Sequence, residues 1–241
     1  MQILLGQVLQ GPLTRGLFGG GTNVIDYVNI ATIGNASDFG DLTVSRGELG
    51  ACASSTRGIF GGGYTNVIDY VTIDTAGNAT DFGDLLNPVY GVAGCSNETR
   101  GLFAGGVITS PFAISNVIQY ITIASTGNAV DFGDLNAKVG RLAACSSTTR
   151  GVFAGGVLDG SFNPTNAIDY VTIATTGNAT DFGDLSSVNC KFAGCSSSTR
   201  GVFGGGDTSN GSTRTNVIEY ITIATAGNTT DFGDLSAPVM Y

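Results

Sequence analysis

Residues 150–185 read RGVFAGGVLDGSFNPTNAIDYVTIATTGNATDFGDL, and close copies of this stretch recur along the whole chain. Two signatures mark each copy, Thr-Arg-Gly near its start and Asp-Phe-Gly-Asp-Leu at its end. Successive arginines of the first signature are 42, 43, 50 and 50 residues apart, so the chain is built from five tandem repeats. These arginines are Arg15, Arg57, Arg100, Arg150 and Arg200.

Each repeat divides into four segments of strand length. In the third copy they are residues 91–96 (GVAGCS), 100–106 (RGLFAGG), 116–124 (NVIQYITIA) and 128–135 (NAVDFGDL). Gly, Asn and Ser bound these segments, and the third is rich in β-branched and aromatic residues. Four strands in 42 to 50 residues is the size of a β-propeller blade. Stacked blades bury both faces of each sheet, which accounts for continuous apolar runs without strict alternation.

The predicted fold is therefore all-β: a single five-bladed β-propeller over residues 1–241, with four antiparallel strands in each blade. An open solenoid is the structural alternative, but it needs distinct polar caps, and the sequence has none. Residues 6–10 align with the first segment of the later copies; they complete the first blade or latch onto the last one. The repeats are predicted at approximately 6–42, 47–85, 91–135, 141–185 and 191–235.

An apolar run ending in paired glycines is followed in every copy by a tyrosine-bearing strand, as at Phe103–Gly106 and Tyr120. This pattern resembles kelch-type propeller repeats over nearly the whole chain. It departs from them in having no Trp, so the kelch aromatic position is not matched. The other runs are Phe18–Gly21, Phe60–Gly63, Phe153–Gly156 and Phe203–Gly206, and the other tyrosines are Tyr27, Tyr70, Tyr170 and Tyr220.

The repeat sequence TRGVFAGG…NVIDYVTIATTGNATDFGDL resembles repeats in kelch-like proteins of marine bacteriophages, including cyanophages. Those proteins are associated with the virion or its tail. That resemblance implies a virion protein that assembles in the host cytoplasm and is oligomeric within a larger assembly. It also implies that the partners are other virion proteins or a cell-surface glycan or receptor.

Composition limits the other functions. The net charge is −9, and such a surface repels phosphate backbones, so we expect no nucleic-acid partner. There is no His, the commonest general base and metal ligand, and no nucleophile stands in a recognisable motif. We therefore expect no catalytic residue, metal or cofactor, and no enzymatic activity.

The apolar segments and the cysteines indicate the compartment in which the protein folds. No stretch approaches the roughly 20 apolar residues of a membrane-spanning helix, so we expect no membrane insertion. The start MQILLGQVLQ lacks a basic region and a long apolar core, which predicts no signal peptide. Four of the five cysteines occupy one position in successive repeats, and we expect free, buried thiols suited to a reducing cytoplasm. These four are Cys52, Cys95, Cys145 and Cys195.

Side chains that recur in every repeat more often stabilise the fold than form a binding or catalytic site. We expect the five repeated arginines to bind carboxylate or carbonyl oxygens within or between blades. The last aspartates of the Asp-Phe-Gly-Asp signature are candidate partners, and the alternative is a ring of anion sites around the axis. The Gly-Asn-x-x-Asp-x-Gly-Asp segment faintly resembles a calcium loop, but its spacing is not that of an EF-hand, and turn caps explain it more simply. The aspartates are Asp41, Asp84, Asp134, Asp184 and Asp234.

Function on a repeat scaffold tends to lie where the repeats differ. The connection after the paired glycines is short in two copies and long in three, at residues 107–115, 157–165 and 207–215. These long connections either have drifted without a role or form a contact surface. The second reading makes the chain a non-enzymatic binding or assembly module, with a glycan- or receptor-binding adhesin as the alternative. The candidate binding residues are Phe112, Phe162, Asp159, Asp207 and Arg214.

A second variable segment joins each blade to the next. It carries basic residues that either line one end of the ring or simply solubilise the surface. They are Arg46, Lys138, Arg141 and Lys191.

Overall fold

The computed structural model describes residues 2–4, 15–159, 163–209, 211 and 213–240, and for residues 2–4 it describes the backbone. Five antiparallel sheets are arranged in a ring and form a five-bladed β-propeller. The predicted fold class is confirmed. Within the described ranges, no helix has the length and apolar character needed to cross a membrane.

Each blade contains four antiparallel strands, and its first strand lies nearest the ring axis. Blade 1 consists of β1 (Gln2–Leu4), β2 (Arg15–Gly19), β3 (Val24–Asn29) and β4 (Ser37–Asp41). Blade 2 consists of β5 (Leu49–Ala53), β6 (Arg57–Gly62), β7 (Thr65–Thr72) and β8 (Thr80–Tyr90). Blade 3 consists of β9 (Ala93–Ser96), β10 (Arg100–Ala104), β13 (Val117–Thr122) and β14 (Val130–Asp134), and a hairpin of β11 (Val107–Thr109) and β12 (Phe112–Ile114) extends the sheet of blade 2.

The last two blades repeat this order. Blade 4 consists of β16 (Ala143–Ser146), β17 (Arg150–Ala154), β19 (Thr165–Thr172) and β20 (Thr180–Asn189). A small two-stranded sheet beside it contains β15 (Val139–Gly140) and β18 (Val157–Leu158). Blade 5 consists of β21 (Ala193–Ser196), β22 (Arg200–Gly204), β23 (Thr215–Thr222) and β24 (Thr230–Val239).

The N-terminal strand belongs to blade 1. Gln2–Leu4 pairs antiparallel with β2, Leu4 opposite Leu17, so the first strand completes this blade. The alignment of repeats places residues 6–10 at this edge instead, and residues 5–14 lie outside the described ranges. Main-chain groups make the ladder, so side-chain similarity alone does not determine which segment pairs there.

A bulge shapes the outer edge of every blade. In blade 3, Ile118 pairs with Gly133 and Gln119 pairs with Asp131, which leaves Phe132 as the extra residue. Phe132 is 3% exposed and lies between blades 3 and 4. The bulge therefore places the Phe of Asp-Phe-Gly-Asp in the core between two blades.

The apolar core is divided among the junctions between consecutive blades. Separate clusters fill junctions 1/2, 2/3, 3/4 and 4/5. The largest fully buried side chains come from the second strand of each later blade and pack against the preceding blade. They are Phe60, Phe103, Phe153 and Phe203. Stability thus depends on the contact of one blade with the next.

Blade junctions and candidate binding face

The repeated arginines connect neighbouring blades. The Nη1 of Arg57, in blade 2, donates to the carbonyl oxygen of Ile123, in blade 3, at 2.8 Å. The guanidinium also lies over the ring of Tyr70 in its own blade, 4.5 Å from the centroid. Equivalent bonds join Arg15 to Ile73, Arg100 to Ile173 and Arg150 to Ile223. Of the two expected acceptor types, the carbonyl is the one used: none of the ion pairs in the described part of the chain involves a repeated arginine.

The Gly-Asn and Asp-Phe-Gly-Asp segments clamp adjacent blades together. At junction 3/4, the side-chain oxygen of Asn178 accepts the N–H of Asp134 at 3.1 Å. Gly177 donates its N–H to the carbonyl of Phe132, and Ala179 donates to that of Asp134. The repeated aspartate thus contributes main-chain groups to this tie. The same amide bond joins Asn78 to Asp41, Asn128 to Asp84 and Asn228 to Asp184.

Only glycine fits the bulged edge at this clamp. Gly83 has φ +143°, and a Cβ there would lie 2.5 Å from the carbonyl oxygen of Gly127 in the next blade. The close approach of the two main chains therefore excludes any side chain.

A third tie uses a position that sequence reasoning missed. In the third strand, the Gln119 side-chain oxygen accepts the N–H of Leu86, from the preceding blade, at 2.7 Å. This position carries Asp, Gln or Glu in every copy, so the shared acceptor oxygen was the available signal. The equivalent pairs are Asp69 with Thr43, Asp169 with Asn136 and Glu219 with Ser186.

The acids at this position differ in their surroundings. Burial raises the pKa of the Asp169 carboxyl, although hydrogen bonds from Asn136 oppose the shift. Asp69 instead forms a fully buried ion pair with Arg46 at 2.9 Å. Desolvation lowers the pKa of the Arg46 guanidinium, and the charge of Asp69 opposes that shift. Arg46 therefore has a structural place inside junction 1/2.

Because each blade has four antiparallel strands, the connections that vary between the repeats all lie on one face of the ring. We call this the variable face; it holds the connections after the second strands and the linkers between blades. The opposite, repeat face carries short turns that are nearly alike in each copy. In one of these turns the Asn97 side chain accepts the N–H groups of Thr99 and Arg100, and Ser147 and Ser197 accept that of the arginine in theirs.

The long connections lie on the variable face and pair with the linkers. Val107 and Ile108 of the first one bond to the end of β8, and Phe112 at its tip is 60% exposed. Beneath these connections a small apolar cluster contains Val107, Ile114, Val157 and Cys190. Phe162, the equivalent aromatic candidate, lies outside the described residues.

The charged candidates divide into exposed and buried groups. Asp159 is exposed and lies 3.9 Å from Lys138, and Arg214 is also exposed. Asp207 is fully buried, and its carboxylate accepts the N–H groups of Ser209 and Thr213. Burial alone raises its pKa, but these hydrogen bonds and the charge of Lys191 hold the pKa below its ordinary value. The buried Asp207 carboxylate thus stabilises the long connection of blade 5, residues 207–215, to which it belongs.

A charged aromatic cluster on the variable face was not identified from the sequence. The rings of Tyr64 and Tyr90 stack with centroids 4.3 Å apart, and Tyr64 is 52% exposed. The Tyr64 hydroxyl donates to Glu48 at 3.0 Å, and Arg141 contacts Glu48 at 3.4 Å. Partial burial raises the pKa of the Tyr64 hydroxyl, and the hydrogen bond to Glu48 raises it further. The four side chains come from separate linkers and the short connection of blade 2.

A belt of three main-chain hydrogen bonds joins the inner ends of blades 2 to 5 on the variable face. Glu48, Gly91, Arg141 and Lys191 lie one or two residues before the inner strands of blades 2 to 5 and have φ between 53° and 60°. Each of the last three donates its N–H to the carbonyl of the one before it. Behind the belt lies a cavity of about 390 Å³. Its walls consist largely of small residues, and Phe192 and Met240 also line it. The linker residues Arg141 and Lys191 therefore lie at one end of the ring.

No disulfide joins any two of the five cysteines, all of which lie within the described residues. Cys52, Cys95, Cys145 and Cys190 are buried, and Cys195 is half-buried. Across the described residues, no group of three or more Cys, Asp and Glu side chains is arranged to hold a metal ion.

Compared with the models of protein families and with curated proteins, the chain shows no match to either. The kelch and bacteriophage resemblances therefore stay predictions. The structure by itself defines the class of the protein, a five-bladed β-propeller built from sequence repeats.

Proposed function

We propose that this chain is a non-catalytic protein-binding module of a bacteriophage virion, attached through its variable face. β-Propellers are commonly protein-binding modules. The observation that carries the proposal is the contrast between the two faces of the ring. The repeat face presents similar turns, whereas the variable face combines exposed aromatic and charged side chains on connections that differ from blade to blade.

The chemistry of the variable face suits protein contacts. Phe112 and Tyr64 are large exposed aromatics, and Arg214 and Asp159 add charges of both signs. Aromatic residues and Arg are enriched where proteins bind each other. The sequence lacks His, which supports the non-catalytic part of the proposal. The phage context is supported by the resemblance of the repeat wording.

The test uses particles of the phage that encodes the chain. Tagged protein, mixed with disrupted and purified particles, is cross-linked and its virion partners are identified by mass spectrometry. We expect one dominant partner, whose binding falls about tenfold or more in Phe112→Ser. Val130→Ser is the matched control, since Val130 is also an exposed apolar residue but lies on the outer strand of blade 3. Equal binding by wild type and Phe112→Ser, or absence of the chain from particles, contradicts the proposal.

A glycan- or receptor-binding role is the second candidate, and the Tyr64–Tyr90 pair favours it. Sugars stack on exposed aromatic rings, and Glu48 and Arg141 beside the pair offer hydrogen bonds to hydroxyl groups. Glycan-array binding that is lost in Tyr64→Ser and retained in Tyr64→Phe would support this role, because the phenylalanine preserves the ring. No bound glycan, or equal binding by both variants, contradicts it.

A further inference from the structure

The cavity behind the belt lies at the axis of the ring, because the inner strands of blades 2, 3, 4 and 5 all contribute residues to its walls. We call it the axial cavity. Its volume of about 390 Å³ falls within the range of roughly 300–1,000 Å³ that is usual for small-molecule sites. The size of the cavity therefore suits a small organic ligand.

Small residues shape the side walls of the axial cavity. The first two positions of the inner strand are Ala93 and Gly94 in blade 3 and Ala193 and Gly194 in blade 5. A Cβ on Gly94 would lie 2.5 Å from the carbonyl oxygen of Ala51 in the preceding blade, so the inner strands approach too closely for a larger residue there. Close packing of the inner strands thus keeps large side chains away from the axis.

Larger apolar residues line the cavity just behind the belt. The residue after the belt position is Val92, Leu142 or Phe192 in blades 3 to 5, and each of them is buried. Met240, which follows the last strand of blade 5, also lines the cavity. An apolar ligand body in this space removes apolar surface from water, both its own and that of the walls. The interior therefore favours the apolar part of a ligand.

The rim of the axial cavity carries more positive than negative charge. Three of the four belt residues have ionisable side chains and line the cavity, namely Glu48, Arg141 and Lys191. Arg141 lies 3.4 Å from Glu48, so these two charges largely offset each other. Lys191 forms no ion pair among the described residues, although the charge of Asp207 acts on it from nearby. The rim thus has an ammonium group that can bind an anionic group entering the cavity.

We propose that the axial cavity binds a small organic anion, an apolar molecule that ends in a carboxylate or sulfonate group. The anionic group binds Lys191 and Arg141 at the rim, and the apolar body lies between the alanine walls and Phe192. A cationic molecule would meet Arg141 and Lys191 at the rim, and a neutral one would gain nothing from their charges. The site shares Glu48 and Arg141 with the aromatic cluster, but it rests on neither the proposed virion role nor the glycan-binding role.

The first test titrates the full chain with two fluorescent probes, anilinonaphthalene sulfonate and phenylnaphthylamine, which has the same rings without the sulfonate. Lys191→Gln should weaken binding of the sulfonate probe about tenfold or more, because it removes a charge-assisted hydrogen bond, and should leave binding of the neutral probe unchanged. Lys138→Gln is the matched control, since Lys138 is an exposed lysine of the linker between blades 3 and 4 and lies outside the described cavity walls. A sulfonate probe that does not bind, or that binds Lys191→Gln as tightly as the wild type, overturns the proposal.

Filling the cavity tests where the probes bind. Ala193→Leu adds side-chain volume at a half-buried position of the wall and should reduce binding of both probes, since both need the same space. Met240→Trp narrows the cavity from a position after the last strand, so it supplies the same test if Ala193→Leu does not fold. Ala237→Leu, at an exposed position of that strand, is the control, and circular dichroism checks the fold of each variant. Unchanged binding of both probes to a folded cavity variant contradicts the proposal.

Crystals of the full chain soaked with bromobenzoate locate the anion directly, because bromine is identified by its anomalous scattering. We expect a bromine peak between the inner strands, with the carboxylate within hydrogen-bonding distance of the Lys191 Nζ. Under the same soak the peak should weaken or disappear in Lys191→Gln and persist in Lys138→Gln. A bromine peak found only outside the axial cavity overturns the proposal. Neither result bears on the virion partner, whose binding is tested separately with Phe112→Ser.

Discussion

Junctions 3/4 and 5/1 share the bulge phenylalanine, the repeated arginine and the Gly-Asn segment, yet one is packed and the other is open. Phe132 and Phe232 contact the tyrosine of their own blade edge-on at the same centroid distance, 5.9 Å. They differ in what covers the opposite side: Phe132 is buried by blade 4, and Phe232 is exposed. The comparison separates what a blade does for itself from what its neighbour adds, and it predicts position-dependent effects for identical substitutions.

The largest expected difference comes from truncating this phenylalanine. Phe132→Ala should lower the free energy of unfolding by about 3–5 kcal/mol, because it leaves a cavity in a closed cluster. Phe232→Ala should cost less than about 1 kcal/mol, since its side chain is 54% exposed. Urea unfolding at a low protein concentration measures both values. Similar losses for the two variants would show that junction 5/1 is packed in solution.

A methyl group at the bulge glycine is the second comparison. Gly83→Ala and Gly233→Ala share the strain of a positive φ, +143° and +137°. Only at Gly83 does the added Cβ strike the next blade, so we expect this variant to lose about 1–3 kcal/mol more than the other. Their midpoints in urea give the difference. If Gly233→Ala proved the more damaging, an unseen contact would have to cover that edge.

The amide of the Gly-Asn clamp provides a smaller effect. Asn178→Ala removes a hydrogen bond to Asp134 and should cost about 1 kcal/mol. Asn35→Ala removes no side-chain hydrogen bond among the residues that the structure describes and should leave thermal unfolding unchanged at low concentration. Differential scanning calorimetry of both variants tests the pair, and a shift of equal size would contradict the open junction.

Thiol reactivity reports the same contrast without altering stability. Burial raises the pKa of Cys95 to about 12, so at pH 8 only roughly one molecule in ten thousand carries the reactive thiolate there. Cys195, half-buried at junction 5/1, also has a raised pKa but is accessible. We expect Ellman's reagent to modify one thiol in the folded protein and the other four only on unfolding. The fast reaction should disappear in Cys195→Ser, and a fast reaction that persists would locate it elsewhere.

Most of the fold could be predicted from the sequence because of the repeats. Five copies of one pattern predicted the number of blades and the four strands of each blade. The ties were harder to assign, because their donors and acceptors are largely main-chain groups that every residue possesses. The side-chain exception, the position of Gln119 and Asp169, was overlooked because its residue type changes while its acceptor oxygen does not.

The candidate site was less predictable for a different reason. Exposed Phe112 and Arg214 lie on two of the long connections, which differ between copies, so comparison of the repeats already indicates these positions. Tyr64, by contrast, acquires its role only from Tyr90 and Glu48, which come from different linkers. Asp207 looks like a surface acid in the sequence, but the turn it organises encloses it.

The uniform ties between blades have a consequence for inheritance. Each repeat meets its neighbour through the same positions, so a gene duplication of one 50-residue unit, such as residues 141–190, would produce a blade that already matches both adjacent surfaces. A deletion of one unit would likewise rejoin two surfaces that fit. Recombination within the gene can therefore change the number of blades in a single event without requiring compensating substitutions.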